Sequence, residues 1–168
     1  RQNLYSTIDT ALHRHYLETE LKKKREELET ANVTMEEGKE RYKKLFDNSG
    51  DAILIMKNNI FADCNRRTLE IFGCRQDDII GHRFDELSPP RQPDGGDSSQ
   101  MGDEKINAAL SGMPQYFEWL HSRKDGSSFN AEISLNTIEL RSGIHLQIIV
   151  RDISDRKRAE AEKERIQA

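Results

Sequence analysis

Few residues of this 168-residue chain are of types and spacings that do chemistry. Cys64 and Cys74 are the only cysteines, and they lack the CxxC spacing of a zinc or redox site. They read as two reduced, half-buried thiols, with no disulfide scaffold. His13 and His15 lie in a long polar stretch and read as solvated helix residues. Asn32-Val33-Thr34 fits a glycosylation sequon, but it falls in a helical stretch of a chain without a signal core, so it is discounted. Ser, His and Asp residues are scattered with no motif around them, so no catalytic set and no metal site is expected. Trp119 can stack on a planar ligand, although a strand Trp more often fills a core or a dimer face. Asp152-Ile153-Ser154 stands where an alternating apolar run meets a charged one. An acceptor there ties a strand end to a cation or a backbone donor and so fixes the exit angle of the next helix.

The charge distribution shows which elements position these residues. A third of the chain is charged and only 35% is hydrophobic. The two ends, residues 1–50 and 153–168, hold 29 of the 56 charged residues in 66 positions. The middle is ordinary globular sequence. It is mildly acidic with no basic stripe, which argues against a nucleic-acid partner. No run approaches the roughly 18 apolar residues of a membrane span, so no direct membrane contact is expected. The chain opens on Arg1 with no apolar signal core after it. We therefore expect a cytoplasmic piece of a longer protein, whose parent is free to be anchored elsewhere.

Residues 4–46 read as helix almost throughout, with no Pro and only Gly38. Leu17, Leu21, Leu28, Ala31, Met35, Tyr42 and Leu45 occupy a and d positions of one heptad frame, and Lys24 and Gly38 fill the others. Leu4, Ile8 and Ala11 follow a different frame, which places a stutter near residues 13–16. So narrow a stripe fits a two-stranded coiled coil better than a globular core. Such a helix is about 65 Å long and cannot fold back along a small domain. Leu17, Leu21, Leu28 and Met35 are therefore the expected seam of a homodimer.

Asp47-Asn48-Ser49-Gly50 breaks the helix. Residues 52–56 and 60–64 read as two short strands around a Lys57-Asn58-Asn59 turn. Asn65 suits a helix N-cap, and the helix after it stops at Gly73. Residues 76–80 form a helical turn, residues 88–102 a mobile Pro/Gly/Ser loop, and 103–110 one more helix. Three strands follow. Asp125-Gly126 is a hairpin signal between the first two. Phe129, Ala131, Ile133 and Leu135 alternate on one face of the second, and Ile144, Leu146, Ile148 and Val150 point inward from the third. The tail from Asp155 is charged and helical. The segments are thus 1–46, a signalling helix; 47–154, an α+β domain; and 155–168, the start of an output helix. An antiparallel sheet with helices on one face is the expected architecture.

Read with specific residues, this order resembles the PAS sensor domain family over about residues 40–156. The pieces are Leu45 through Ile53, Asn65-Arg66-Arg67 through Phe72-Gly73, Ile80-Gly81, Phe117-Glu118-Trp119, Arg123-Lys124-Asp125-Gly126-Ser127, and Arg151-Asp152-Ile153-Ser154-Asp155-Arg156-Lys157. The last is similar to the family's Asp-Ile-Thr exit motif, with Ser for Thr. The resemblance implies a five-stranded antiparallel sheet whose helical face encloses a pocket. It also implies a signal-relay role for Asp152, Ile153 and Ser154.

The family's cofactors each require particular residues. Haem-binding members carry an axial His before the third strand, and residues 101–110 contain none. Photoactive flavin members carry Cys within the first core helix, where this chain has Asn65-Arg66-Arg67-Thr68-Leu69-Glu70. Haem and photoactive flavin are both disfavoured, which leaves an apolar cavity for a small molecule. Its expected lining is Ile53, Ile55, Leu69, Phe72, Ile106, Leu110, Phe117, Trp119, Ile133 and Ile148. The tail resembles the lead-in to the dimerisation helices of sensor histidine kinases. That resemblance points to a two-component parent, with upstream and downstream domains of the same chain as partners. A diguanylate cyclase or phosphodiesterase parent, or a ligand-free dimerisation spacer, is the alternative. Gly95-Gly96-Asp97 reads as loop and not as a cyclase signature. The 168 residues are expected to have no enzymatic activity.

Overall fold

The computed structural model describes residues 2–168. Arg1, which the sequence reading placed in the first helical segment, lies outside the described residues. The chain divides into two compact units, Arg1–Leu45 and Phe46–Ala168. The first consists of most of α1, a 46-residue helix over Gln2–Asp47. From Asn3 through Leu45 its residues are exposed, and Leu17, Leu21, Leu28 and Met35 are each at least half exposed. Local ion pairs such as Lys44–Glu40 and Lys39–Glu36 line it, each worth a few tenths of a kcal/mol.

The second unit is a five-stranded antiparallel sheet in the order β2-β1-β5-β4-β3, with helices in between in the chain. β1 (Ala52–Lys57) turns into β2 (Ile60–Cys64) through Asn58 and Asn59, both at positive φ. Asparagine tolerates that conformation, and two such residues in sequence make the tight turn that matches strand twist. α2 (Arg66–Phe72) starts at Asn65, whose side chain accepts from the Thr68 amide, and stops at left-handed Gly73. Two 3-10 turns, Gln76–Asp78 and Phe84–Leu87, precede α3 (Ser98–Leu110). β3 (Gln115–Ser122), β4 (Ser128–Leu140) and β5 (Gly143–Asp152) form the long meander, and α4 (Ser154–Gln167) leaves directly from β5.

One core lies between the sheet and the short helices. β4 contributes Phe129, Ala131, Ile133 and Leu135, the face its alternation predicted, and β5 contributes Leu146, Ile148 and Val150. Ile144 is an exception at 58% exposed, because it stands one pair from the β4–β5 turn. β1 contributes Ala52, Leu54 and Met56. Ile53 and Ile55 therefore point to the opposite face, facing Ile149 and Gln147 of β5 in register. Residues 52–56 are apolar without alternation, so their sequence carries no information on which parity faces inward.

The segment expected as a mobile loop is different in two ways. Its last five residues are helical, because α3 begins at Ser98, capped by the Asp97 carboxylate on the Gln100 amide. The remainder is fastened to the edge strand β3. The Gln92 amide accepts from Leu120 N at 2.8 Å and donates to Leu120 O at 3.1 Å. It thus replaces a neighbouring strand at an exposed edge. Ser98 Oγ takes a further bond from Gln92 Nε2 and donates to Pro89 O.

Candidate functional site

Two regions of the second unit can carry function: the ring cluster in the core, and the junction where β5 becomes α4.

The core is aromatic where β3 crosses the helical layer. Trp119 is nearly fully buried, donates Nε1–H to Ser88 Oγ at 2.8 Å and packs on Phe84 and Phe117. It is a core residue with a polar tether. Two residues along, His121 lies in contact with Phe72, Phe84 and Phe129, at ring separations of 5.1–5.5 Å. Its Nδ1 is 2.9 Å from Leu87 O. A carbonyl only accepts, so Nδ1 carries the proton and Nε2 is the bare acceptor. Nε2 is buried with no protein partner. Burial pushes the imidazole down to about 4, against the opposite pull of the Leu87 carbonyl, so the ring is neutral at neutral pH. The expected lining named Phe117 and Trp119 of β3 but not His121. Its position two residues on, in the same strand, was the available signal.

Of the expected pocket residues, Phe72, Ile106, Trp119, Ile133 and Ile148 come together in this core, and Leu69 and Phe117 pack against its margin. Ile53 and Ile55 are on the other face of the sheet, for the parity reason given above. Leu110 is 44% exposed, because the inward stripe of α3 is Gly102, Ile106 and Ala109, and Leu110 lies beside it.

The residues present do not fit a photoactive flavin. α2 carries no thiol, and Cys64 sits on β2, where burial above all, then Asp63, pushes it up to about 11. The rings of Phe72, Phe84, Trp119 and Phe129 occupy the space between helices and sheet.

At the junction, Asp152 performs two tasks. Oδ2 accepts from Arg123 Nη2 at 3.0 Å, and Oδ1 accepts from Ser154 N at 2.9 Å. Arg123 also donates Nε–H to Ile71 O and lies over the Phe129 ring, 4.5 Å from its centroid. One guanidinium thus joins the end of α2, the β3–β4 turn and the strand end from which α4 starts. Ile153 is buried and its amide donates to Asn130 O. The first turn of α4 is held from the sheet's other face, by Arg156 on Glu132 at 2.5 Å and Lys157 on Glu118 at 2.6 Å. The Arg156 bond, then the Tyr116 hydroxyl, hold the Glu132 carboxyl below its usual range. Glu118 and Glu132 escaped the sequence reading, because nothing local says that two strand glutamates face a helix leaving 20 or more residues later.

The other end of the domain is built with equal care. Arg151, beside Asp152, forms a bidentate pair with Asp51, with Nη2 2.8 Å and Nε 3.1 Å from the carboxylate. Arg66 N donates to Asp47 Oδ1, and Arg67 Nε to Gly50 O.

A family model described as PAS domain matches residues 50–155. No curated protein matches the sequence. Among solved structures, the chain is similar to the PAS domain of an HTR-like protein from Haloarcula marismortui. That pair is 25% identical with a TM-score of 0.61, over 74% of this chain and 99% of that one. A PAS domain from Colwellia psychrerythraea is also 25% identical, with a TM-score of 0.59, over 70% and 97%. A PAS domain from a two-component sensor histidine kinase shares the fold at 14% identity and a TM-score of 0.58, over 70% and 98%.

Proposed function

The chain belongs to the PAS domain family, and from that premise we propose that it is the sensory and signal-relay module of a multidomain signalling protein. In this reading, the state of the core, set by a ligand or by an upstream domain, determines how α4 leaves the sheet. The single observation that carries it is Asp152. One carboxylate caps the first amide of α4 and pairs with an arginine lodged between α2 and the core ring of Phe129. A shift of α2 or of the Phe129 ring is thereby transmitted to the first turn of α4.

We assign the parent to the two-component sensor histidine kinases. Support comes from the charged α4 and from structural neighbours described as domains of such kinases, including one from Geobacter sulfurreducens that shares the fold. We propose for these 168 residues no catalytic activity and a cytoplasmic location. Among the described residues no helix is long and apolar enough to cross a membrane. The module is proposed to act as a homodimer paired along its flanking helices.

Amide hydrogen exchange tests the relay. Arg123→Gln breaks the link to Asp152 without adding charge. It should raise exchange of the α4 amides from Ser154 to Arg158 at least tenfold, while β4 and β5 stay protected. Unchanged exchange in α4 would mean that the helix does not depend on the core.

A second reading, a ligand-free dimerisation spacer, is favoured by one observation: Leu17, Leu21 and Leu28 of α1 are exposed. In a spacer, Arg123→Gln would leave α4 untouched, so the same measurement separates the two.

A further inference from the structure

Three consecutive residues of β3 fasten one segment. Trp119 Nε1–H donates to Ser88 Oγ, Leu120 exchanges two bonds with the Gln92 amide, and His121 Nδ1–H donates to Leu87 O. The segment they hold is a strap, residues 84–97, made of the 3-10 turn Phe84–Leu87 and a stretch without helix. Its other ties go to α3. Arg83 pairs with Asp103, and Ser98 bonds the carbonyls of Pro89 and Pro90. The strap can therefore part from β3 and remain attached to α3. Of the three fastenings to β3, only that of His121 involves a titratable group.

We propose that His121 is an acid-released latch: a proton on Nε2 frees the strap from β3 and bares the strand edge at Leu120.

Geometry makes the closed latch a neutral one. The ring is 1% exposed, Nδ1–H is committed to Leu87 O, and Nε2 has no partner. A proton there adds a buried N–H with no acceptor, and a charge among the rings of Phe72, Phe84 and Phe129. No element around the ring brings a countercharge. On α2, Arg66 and Arg67 both pair with Glu70. At the 3-10 turn, Arg83 pairs with Asp85 and His82 with Glu86. Past Phe72, Lys124 pairs with Asp78, and over Phe129 Arg123 is held by Asp152. Glu118 and Glu132 bond α4 on the other face of the sheet.

The charged ring must therefore reach water, and the strap is the wall that yields. Phe72 ends α2, which Arg123 grips through Ile71 O, and Phe129 lies in β4, paired on both sides. Phe84 and Leu87 belong only to a four-residue turn. The ring takes its proton at 6.5 in water and at about 4 in the closed core, so below 6.5 the open form binds more protons. Opening should rise about tenfold between pH 7.5 and 5.5. His82 works the other way: Glu86 raises it, and its proton strengthens the pair at the turn.

The test is hydrogen exchange in the full chain at pH 7.5 and 5.5, corrected for the intrinsic effect of pH, read at Leu120 N–H and Trp119 Nε1–H. Both bonds cross from β3 to the strap, and α4 takes no part, so the latch is tested apart from the relay. Both groups should open more often than the β5 amides at either pH, and about tenfold more often at pH 5.5 than at 7.5. His121→Phe should remove that rise, and His82→Gln should keep it. Equal opening at the two pH values would overturn the proposal. So would opening equal to that of β5 throughout, since the proton would then act only by unfolding the whole domain. A rise that persists in folded His121→Phe would overturn it by placing the effect on another group. A ring ¹⁵N spectrum with His121 charged at pH 7 would do the same, and it needs no variant.

Discussion

Asn65 commits both ends of its amide to backbone groups. Oδ1 accepts from Ile53 N, Thr68 N and Thr68 Oγ1, and Nδ2 donates to Phe46 O at 2.8 Å and Asp51 O at 3.1 Å. The side chain is fully buried. Asn65→Ala should therefore cost about 3 kcal/mol, from net bond losses of about 1 kcal/mol each and the orphaned groups left behind. A lower urea midpoint at unchanged slope is the expected result. The N-cap role of Asn65 was legible from its place before an apolar helical run. Its bonds to residues 46, 51 and 53 were not, because they depend on where β1 lies. His121 gives a second prediction at this scale. Its folded pKa, about 4, is below the unfolded 6.5, so between these values the unfolded state binds more protons. Stability contributed by neutral His121 is therefore full above pH 6.5 and is lost as pH falls towards 4, by on the order of 3 kcal/mol. His121→Phe should flatten that part of the stability profile relative to wild type. An identical pH dependence in both proteins would show that the ring does not titrate in the core.

Among the elements, β4 and β5 were the most legible, since strict alternation reports which side is covered. β1 was the least legible, because both of its faces are apolar. The 3-10 turn Phe84–Leu87 and the order in residues 88–97 left no periodic trace, as they depend on contacts with β3 thirty residues away. The Gln92 clasp is such a contact. Gln92→Ala removes both bonds to Leu120 and the bond to Ser98 Oγ. Exchange of the Leu120 amide should rise at least tenfold, with β4 and β5 little changed. Protection that survives the substitution would mean that the segment is held by its other bonds, and that the edge needs no substitute strand. The exit motif was legible as a type of junction, but its partner on Arg123 became definite only once the β3–β4 turn was placed.

At the scale of the whole chain, charge and apolar content separate along the sequence. α1 is exposed from Asn3 through Leu45, most of α4 is exposed, and the buried apolar side chains gather in one core. α1, at 46 residues, extends about 69 Å and presents its leucines unburied. In the dimer proposed above, a helix this long would gain its stability from a second copy paired along this stripe. Leu21→Asp with Leu28→Asp should therefore convert a dimer to monomers by light scattering, while the circular dichroism of the β-sheet persists. A dimer that survives both substitutions would place the pairing in the sheet domain. The central claim, that the core governs the relation between paired output helices, is tested most directly by the distance between them. A spin label at Ile166→Cys in a Cys74→Ser background reports the separation of the two α4 helices by pulsed dipolar spectroscopy. Wild type should give one narrow distribution, and Asp152→Asn should displace or broaden it. Identical distributions in the two proteins, or no dipolar coupling at all, would contradict the claim.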